Sequence, residues 1–268
     1  TRSDRDWSSD VCSSDLIYAY KKPTDAVGRE EICRRFGWPP ERPLVAVYAS
    51  NWFDFPHSFG MTHFRDFHDW LEVTLAEATK NPAVSWLFKA HPCDAWYGGI
   101  SLRDILGGRM PKHIHIAENS WKGKDLLDAI DAFVTFHGTV GLEATALGKP
   151  VLVADKGWYD DWGFVLAPAD REDYRRLLSR DWWATLDRKR NAELAELFSG
   201  WYWGRPDWQD RFLLEDDSRQ NEIYATLPGL LAQETALERE IATIRRWHDA
   251  AVPHYHTFKM LQAEHYLA

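Results

Sequence analysis

The sequence predicts an α/β chain: a doubly wound, mostly parallel sheet followed by a helical C-terminal region. Three observations carry this. Short continuous apolar runs of strand length recur between residues 44 and 154. Stretches with helical period lie between them. The segment 132–154 reads as strand, small-residue turn, helix and strand in immediate succession.

The elements follow in order. Residues 44–49 are wholly apolar, as expected of a strand covered on both faces. A loop with aromatics, His57 and Gly60 follows over 50–61. Phe64, Phe67, Leu71, Leu75 and Ala78 then fall on one helical face over 64–79, and Asn81-Pro82 stops that helix. Residues 84–89 form the second strand, ending in Ala90-His91-Pro92. After Gly98-Gly99 come a short helix at 102–106, a third strand at 113–117, a helix at 124–130 and a fourth strand at 132–136. The turn His137-Gly138-Thr139 leads into a helix over 141–147, stopped by Gly148-Lys149-Pro150. A fifth strand is expected at 151–154, a short sixth at 164–167, and a helix at 170–178 with Asp170 as N-cap.

The flanks differ in character. Residues 1–16 have no apolar period and repeat Ser-Ser-Asp, like the translation of a sequencing adapter, and are set aside as an artefact. The natural chain is therefore expected to extend upstream of Ile17. Residues 17–42 are polar with a helical stretch at 25–36, and read as a linker or the end of a truncated N-terminal lobe. Residues 43–179 form the sheet domain. Residues 180–268 form a Trp-rich helical region holding Trp182, Trp183, Trp201, Trp203, Trp208 and Trp247. Within it, Leu230, Leu237, Ile241 and Ile244 stripe one helix over 230–246, which suits packing on its own domain.

Right-handed crossovers place every carboxyl strand end on one side. Asn51, His91, Glu118 to Ser120, His137 to Thr139 and Asp155 are thereby expected along a single edge, where open α/β sheets bind ligands. Gly138 and Gly141 would let a ligand approach the backbone, the helix start would favour an anion such as phosphate, and Thr139 would add a hydroxyl. An ordinary βα turn fits the same residues. His91, preceded by Lys89, can donate to phosphate or stand as an inert loop histidine. Glu143 suits the two hydroxyls of a ribose, or is a glutamate favoured by the helix dipole. Lys149 either reaches a phosphate or sits as a C-terminal charge.

The loop over 157–164 combines glycines, aromatics and two carboxylates, which suits sugar hydroxyls. Asp160 and Asp161 are candidates for proton transfer. Adjacent residues point in different directions, so they are not read as a glycosidase pair. His254-Tyr255-His256 lacks a third ligand at useful spacing, and no metal is expected. No Walker loop, G-x-G-x-x-G, H-E-x-x-H or G-x-S-x-G occurs, and no cofactor is expected.

Composition bounds the partners. A net charge of −9 without a basic cluster disfavours nucleic acid. No apolar run reaches the ~18 residues of a membrane span. Three cysteines without C-x-x-C spacing disfavour a disulfide framework or structural zinc and fit a reducing cytoplasm.

Four motifs in order, Leu87-Phe88-Lys89-Ala90-His91-Pro92, Thr135-Phe136-His137-Gly138-Thr139-Val140-Gly141-Leu142-Glu143-Ala144, Gly148-Lys149-Pro150-Val151 and Gly157-Trp158-Tyr159-Asp160-Asp161-Trp162-Gly163-Phe164, resemble the bacterial capsule polysaccharide biosynthesis proteins, which include Kdo transferases. The resemblance covers about 43–178 and implies the GT-B glycosyltransferase fold. There, two Rossmann-like lobes face across a cleft, and the C-terminal one holds most of the nucleotide-sugar donor. This chain would supply that lobe. By the same resemblance His91 and Pro92 would contact the nucleotide, Thr139 and its neighbours the phosphate, and Glu143 the ribose. The general base would lie on the preceding lobe. Two departures stand out. Tyr159-Asp160-Asp161-Trp162-Gly163 replaces a Tyr-Ala-Gly-Trp-Gly-like loop, and Lys89-Ala90 precedes His91 where Lys-Pro is usual.

The expected activity is transfer of a sugar, Kdo from CMP-Kdo as first choice, to a glycan or lipid acceptor. The expected location is the cytoplasm, or the periphery of the inner membrane. The alternatives are a CDP-glycerol-type phosphotransferase, a UDP-sugar epimerase, and a non-catalytic lobe that binds a nucleotide or a partner.

Overall fold

The computed structural model describes residues 27–51, 61–91, 101–107, 110–118, 120–203 and 249. The chain divides into two compact units, residues 11–196 and a second made of 1–10 with 197–268. The sheet lies wholly in the first. Pro92 and the expected helix over 230–246 fall outside the described residues, as do 254–256.

Helix α1 (Arg29–Phe36) leads into β1 (Leu44–Tyr48), α2 (Phe67–Lys80), β2 (Ser85–Lys89), α3 (Leu102–Leu106), β3 (Ile114–Ile116) and α4 (Gly123–Leu126). Then come β4 (Ala132–Thr135), α5 (Thr139–Ala146), β5 (Val151–Val153), a 3₁₀ turn (Asp160–Trp162), α6 (Arg171–Leu178), a second 3₁₀ turn (Trp182–Thr185) and α7 (Arg188–Trp203). All five strands are parallel, in the order β3-β2-β1-β4-β5. The chain winds outward from β1 in one direction and then, after β3, crosses to β4 on the other side. The gap between β1 and β4 is therefore the topological switch point, where the carboxyl ends of adjacent strands open a crevice.

Alternation along the strands explains the two covered faces. Val45, Val47, Trp86, Phe88, Val134 and Leu152 bury against Phe67, Trp70 and Leu71 of α2, Leu102 and Leu106 of α3, and Tyr174 and Leu178 of α6. On the other face Tyr48 meets Phe133 edge to face at 5.6 Å, and α5 packs on β4 and β5. Helices α2 and α6 are further joined by charge. Both guanidinium nitrogens Nη1 and Nη2 of Arg171 donate to the buried Asp69 carboxylate, at 2.7 and 2.9 Å, and Arg175 donates to the buried Glu77 at 2.9 Å. Beneath them the Trp70 indole donates to the Tyr174 hydroxyl at 2.8 Å.

The helix ends obey local rules. Gly37 stops α1 in the left-handed region at φ 66°, a position other residues adopt only with strain. Asp66 and Asp170 cap α2 and α6 by accepting from the backbone N–H three residues on. Three elements differ from expectation. The fourth helix is a single turn, Gly123–Leu126, held by Asp125 accepting from Lys122 N at 3.2 Å. The sixth strand reduces to one bridge, Leu166 beside Leu152. Helix α5 starts at Thr139, two residues before the expected start.

Candidate functional site

The parallel order puts the ends of β2, β1 and β4 side by side, so His91, Asn51 and the turn 137–139 lie along one rim. Asn51 is buried just beyond β1, and Lys89, the last residue of β2, is buried with its ammonium donating to Ala90 O at 3.3 Å. His91 is half-buried at the rim.

The turn after β4 is built as follows. Gly138 N–H donates inward to Thr135 Oγ1 at 3.3 Å, so this N–H is committed to the fold. Gly138 is the N-cap of α5 and brings no side-chain cap. The first helical bond is Gly141 N–H to Gly138 O, 3.0 Å. The N–H groups of Thr139 and Val140 precede it and so have no intrahelical acceptor. Thr139 and Val140 are half-buried residues at the switch point, and such a helix start favours an anion.

The loop over 157–164 braces this turn from behind. Trp158 Nε1 donates to His137 O at 3.2 Å, and Tyr159 Oη donates to Gly138 O at 2.6 Å. Tyr159 is fully buried, and burial pushes its phenol up, with the Asp160 and Glu143 charges adding to the effect. A Cβ on Gly157 would meet the His137 Cβ at 2.7 Å, so that contact also needs a glycine. His137 is enclosed by Phe136 and Phe67, at 5.1 and 6.1 Å between ring centroids. Burial lowers its pKa, opposed by a bond with its own backbone and by the Asp155 and Asp160 charges.

Several expectations change at this point. Gly141 does not open the backbone to a ligand: a side chain there would overlap the Tyr159 hydroxyl, so the glycine makes room for Tyr159. Lys149 does not approach the rim. It donates to Asp128 O and Ile130 O, 2.9 and 3.0 Å, at the amino ends of the strands. Asp155 lies at the rim but is taken up by the fold, accepting from Thr62, His63, Phe64 and Lys156 N–H groups. Glu143 is the fifth residue of α5, beyond the first turn, so the dipole does not explain it. Its charge, together with burial, raises the phenols of Tyr48 and Tyr159, which places it by the switch point.

Asp160 and Asp161 diverge as adjacent residues should. Asp160 is buried and accepts from Gly157 N–H at 2.8 Å, whereas Asp161 faces solvent. Lys156 reaches both, at 3.3 and 3.1 Å. Sequence reasoning missed Thr135 and Tyr159 as the residues that shape the turn. For Thr135 the signal was a hydroxyl three residues before a glycine, a common local hydrogen-bonding spacing. Nothing in the sequence links Tyr159 to Gly138.

Among the described residues no group of three His, Cys, Asp or Glu is placed to hold a metal. A cavity of about 290 Å³ lies at the carboxyl end of β3, lined by Phe36, Arg103, Met110, His115, Glu118 and Ser120 among others. No described helix is long and apolar enough to cross a membrane.

Fold and rim together define a doubly wound α/β lobe with an uncapped helix start at its switch point, a class whose ligands bind at the carboxyl ends of the strands. Residues 62–182 match the family described as capsule polysaccharide biosynthesis protein. The resemblance read from the four motifs therefore holds over this part of the chain. Protein FixF of Sinorhizobium fredii (strain NBRC 101917 / NGR234) is 26% identical over 139 residues, 52% of this chain and 32% of FixF. The chain thus spans about a third of that relative's length.

Among solved structures, the Thermosulfurimonas dismutans KpsC beta Kdo 2,4 transferase is similar with a TM-score of 0.39 at 15% identity, over 62% of this chain and 58% of that one. Anabaena Alr3699/HepE in complex with UDP gives 0.40 at 13%, over 65% and 48%. At such scores the fold rests on the observed strand order, not on these likenesses.

Proposed function

We propose that this chain supplies the donor-binding lobe of a GT-B, nucleotide-sugar-dependent glycosyltransferase of capsule or other surface-polysaccharide assembly. The observation that carries the reading is the uncapped start of α5 at the β1/β4 switch point, with two backbone N–H groups left for an anion. The family match over the same residues supports it. In this reading the phosphate of the donor sits on Thr139 and Val140. His91, on the same rim, contributes a hydrogen bond to the nucleotide, and Glu143 takes the ribose hydroxyls. Asn51, Lys89 and His137 complete the lining.

The donor is a CMP-sugar, with Kdo as the transferred group, and the acceptor is a glycan or lipid at the cytoplasmic side of the inner membrane. Catalysis from this lobe is stabilisation of charge on the departing nucleotide by fixed N–H donors. Such donors act without reorganising during the reaction. Neither Asp160 nor Asp161 is assigned the proton transfer, because both are paired with Lys156.

Calorimetric titration with CMP, UDP and GDP tests the site. The expected result is CMP binding tighter than millimolar, weakened at least several-fold by His91→Ala and by Thr139→Ala. No nucleotide binding, or no effect of either substitution, would overturn it. Mass spectrometry of products then separates a transferred Kdo from a transferred glycerol phosphate or an epimerised sugar.

A further inference from the structure

We infer that Tyr159 is a positioning residue for the anion site, fixing the Gly138–Thr139 peptide so that the Thr139 N–H faces the ligand. This rests on the donor-site reading above and deepens it.

The argument starts from the peptide group. Gly138 C=O and Thr139 N–H belong to one planar trans unit and point in opposite directions. Gly138 O accepts from Tyr159 Oη at 2.6 Å and from Gly141 N at 3.0 Å, both inside the fold. Fixing that oxygen inward fixes the Thr139 N–H outward. The preceding peptide is held in the same manner, with His137 O accepting from Trp158 Nε1 at 3.2 Å and Gly138 N–H donating to Thr135 Oγ1 at 3.3 Å. Successive residues of one loop thus brace successive carbonyls of the turn.

The brace is rigid because Tyr159 cannot move. Its ring is 1% exposed, lies parallel to Phe164 with centroids 5.9 Å apart, and meets Trp158 edge-on at 4.8 Å. Gly141 is shaped to it, having no room for a side chain beside the hydroxyl. A hydrogen bond to the carbonyl also polarises the peptide and strengthens its N–H as a donor. Loss of a preorganised donor lowers affinity for the charged part of a ligand, leaving the rest of the ligand unaffected.

The test uses the 268-residue chain, the tightest of CMP, UDP and GDP, and the matching nucleoside. Tyr159→Phe keeps the ring and removes the donor. It should weaken the nucleotide by about three- to tenfold, the range a single hydrogen bond gives, with nucleoside affinity unchanged. Tyr174→Phe, which removes another buried phenol whose partners are Trp70 and Thr74 of α2 and not the turn, should leave both affinities as in the parent. If Tyr159→Phe does not fold, Trp158→Phe removes the neighbouring brace and should show the same nucleotide-selective loss. Unchanged nucleotide affinity in Tyr159→Phe, or equal loss for nucleotide and nucleoside, overturns the inference while leaving the donor site standing. Absence of nucleotide binding by the parent chain overturns the donor-site reading itself, and this inference with it.

Discussion

Replacing Gly141 by alanine tests the packing beneath the rim, because two opposing effects of known size meet there. In an ordinary helix the change stabilises by about 1 kcal/mol, through the lower backbone entropy of alanine in the unfolded chain. Here the new methyl would overlap the Tyr159 hydroxyl and lie 3.1 Å from its Cζ and 3.2 Å from Thr135 Cγ2. Tyr159 cannot withdraw without disturbing its contacts with Phe164 and Trp158. Overpacking costs about 1–3 kcal/mol, and displacing the hydroxyl from Gly138 O adds roughly 1–3 kcal/mol. The net expectation is a loss of about 1–5 kcal/mol, read from urea unfolding followed by far-UV circular dichroism. Tyr159→Phe on the same background removes the overlapping oxygen and leaves contacts that need only a few tenths of an ångström. The double variant should therefore lose less than the sum of the singles, by about 1 kcal/mol or more. A neutral or stabilising Gly141→Ala, or strict additivity, would refute the packing argument.

Two further outcomes are expected. Asp155→Ala strips the acceptor from four backbone N–H groups, including the buried Phe64 N at 3.3 Å, and should destabilise by roughly 3 kcal/mol. A loss under about 1 kcal/mol in the same urea assay would mean that water replaces the carboxylate. Burial lowers the His137 pKa in the folded chain, so near the ordinary histidine value of about 6.5 the unfolded chain binds more protons. Its contribution is fully present above that pH and is lost as pH falls through the depressed native value. Unfolding free energy should drop between about pH 7 and 5, with a shallower slope in His137→Gln; identical slopes would exclude His137 as the source. Burial shifts His115 in the same direction, so it adds to the slope in the same window.

The strands were legible because burial on both faces leaves an unmistakable trace. In β1 every residue of Leu44–Tyr48 is buried, so its sequence is a continuous apolar run with no helical period. β2 and β4 are buried throughout as well, with apolar centres and polar residues (Ser85, Lys89, Thr135) only at their ends, while the strand order that makes the switch point comes from the structure. What was not legible depends on contacts distant in sequence. A glycine near a turn serves either a ligand or a neighbouring side chain, and Gly141 serves Tyr159. Lys149 was ambiguous because nothing in the sequence says which end of the sheet its ammonium reaches, and the carbonyls of Asp128 and Ile130 hold it at the other one. The sixth strand failed for local reasons. Gly163 turns the chain at φ 75°, and Pro168 lacks the N–H a longer ladder would need, so Leu166 alone pairs.

The anion site proposed above lies in a chain of net charge −9, and its acidic neighbours pose an electrostatic problem. Asp155 and Asp160 both act on His137 and so stand near the turn. Left bare, such carboxylates would repel a phosphate at α5 by an amount comparable to what two backbone donors gain. Neither is bare. Asp155 is surrounded by four backbone N–H groups, which spread its charge into the segment 62–64. Asp160 is turned inward to Gly157 N–H and shares Lys156 with the exposed Asp161. The acidic groups thus brace the loops that frame the turn, while the half-buried Thr139 and Val140 remain at the open end of α5. Lys156→Ala, which leaves Asp160 and Asp161 without their cation, should weaken the nucleotide in calorimetric titration, and unchanged affinity would refute the charge-balance argument.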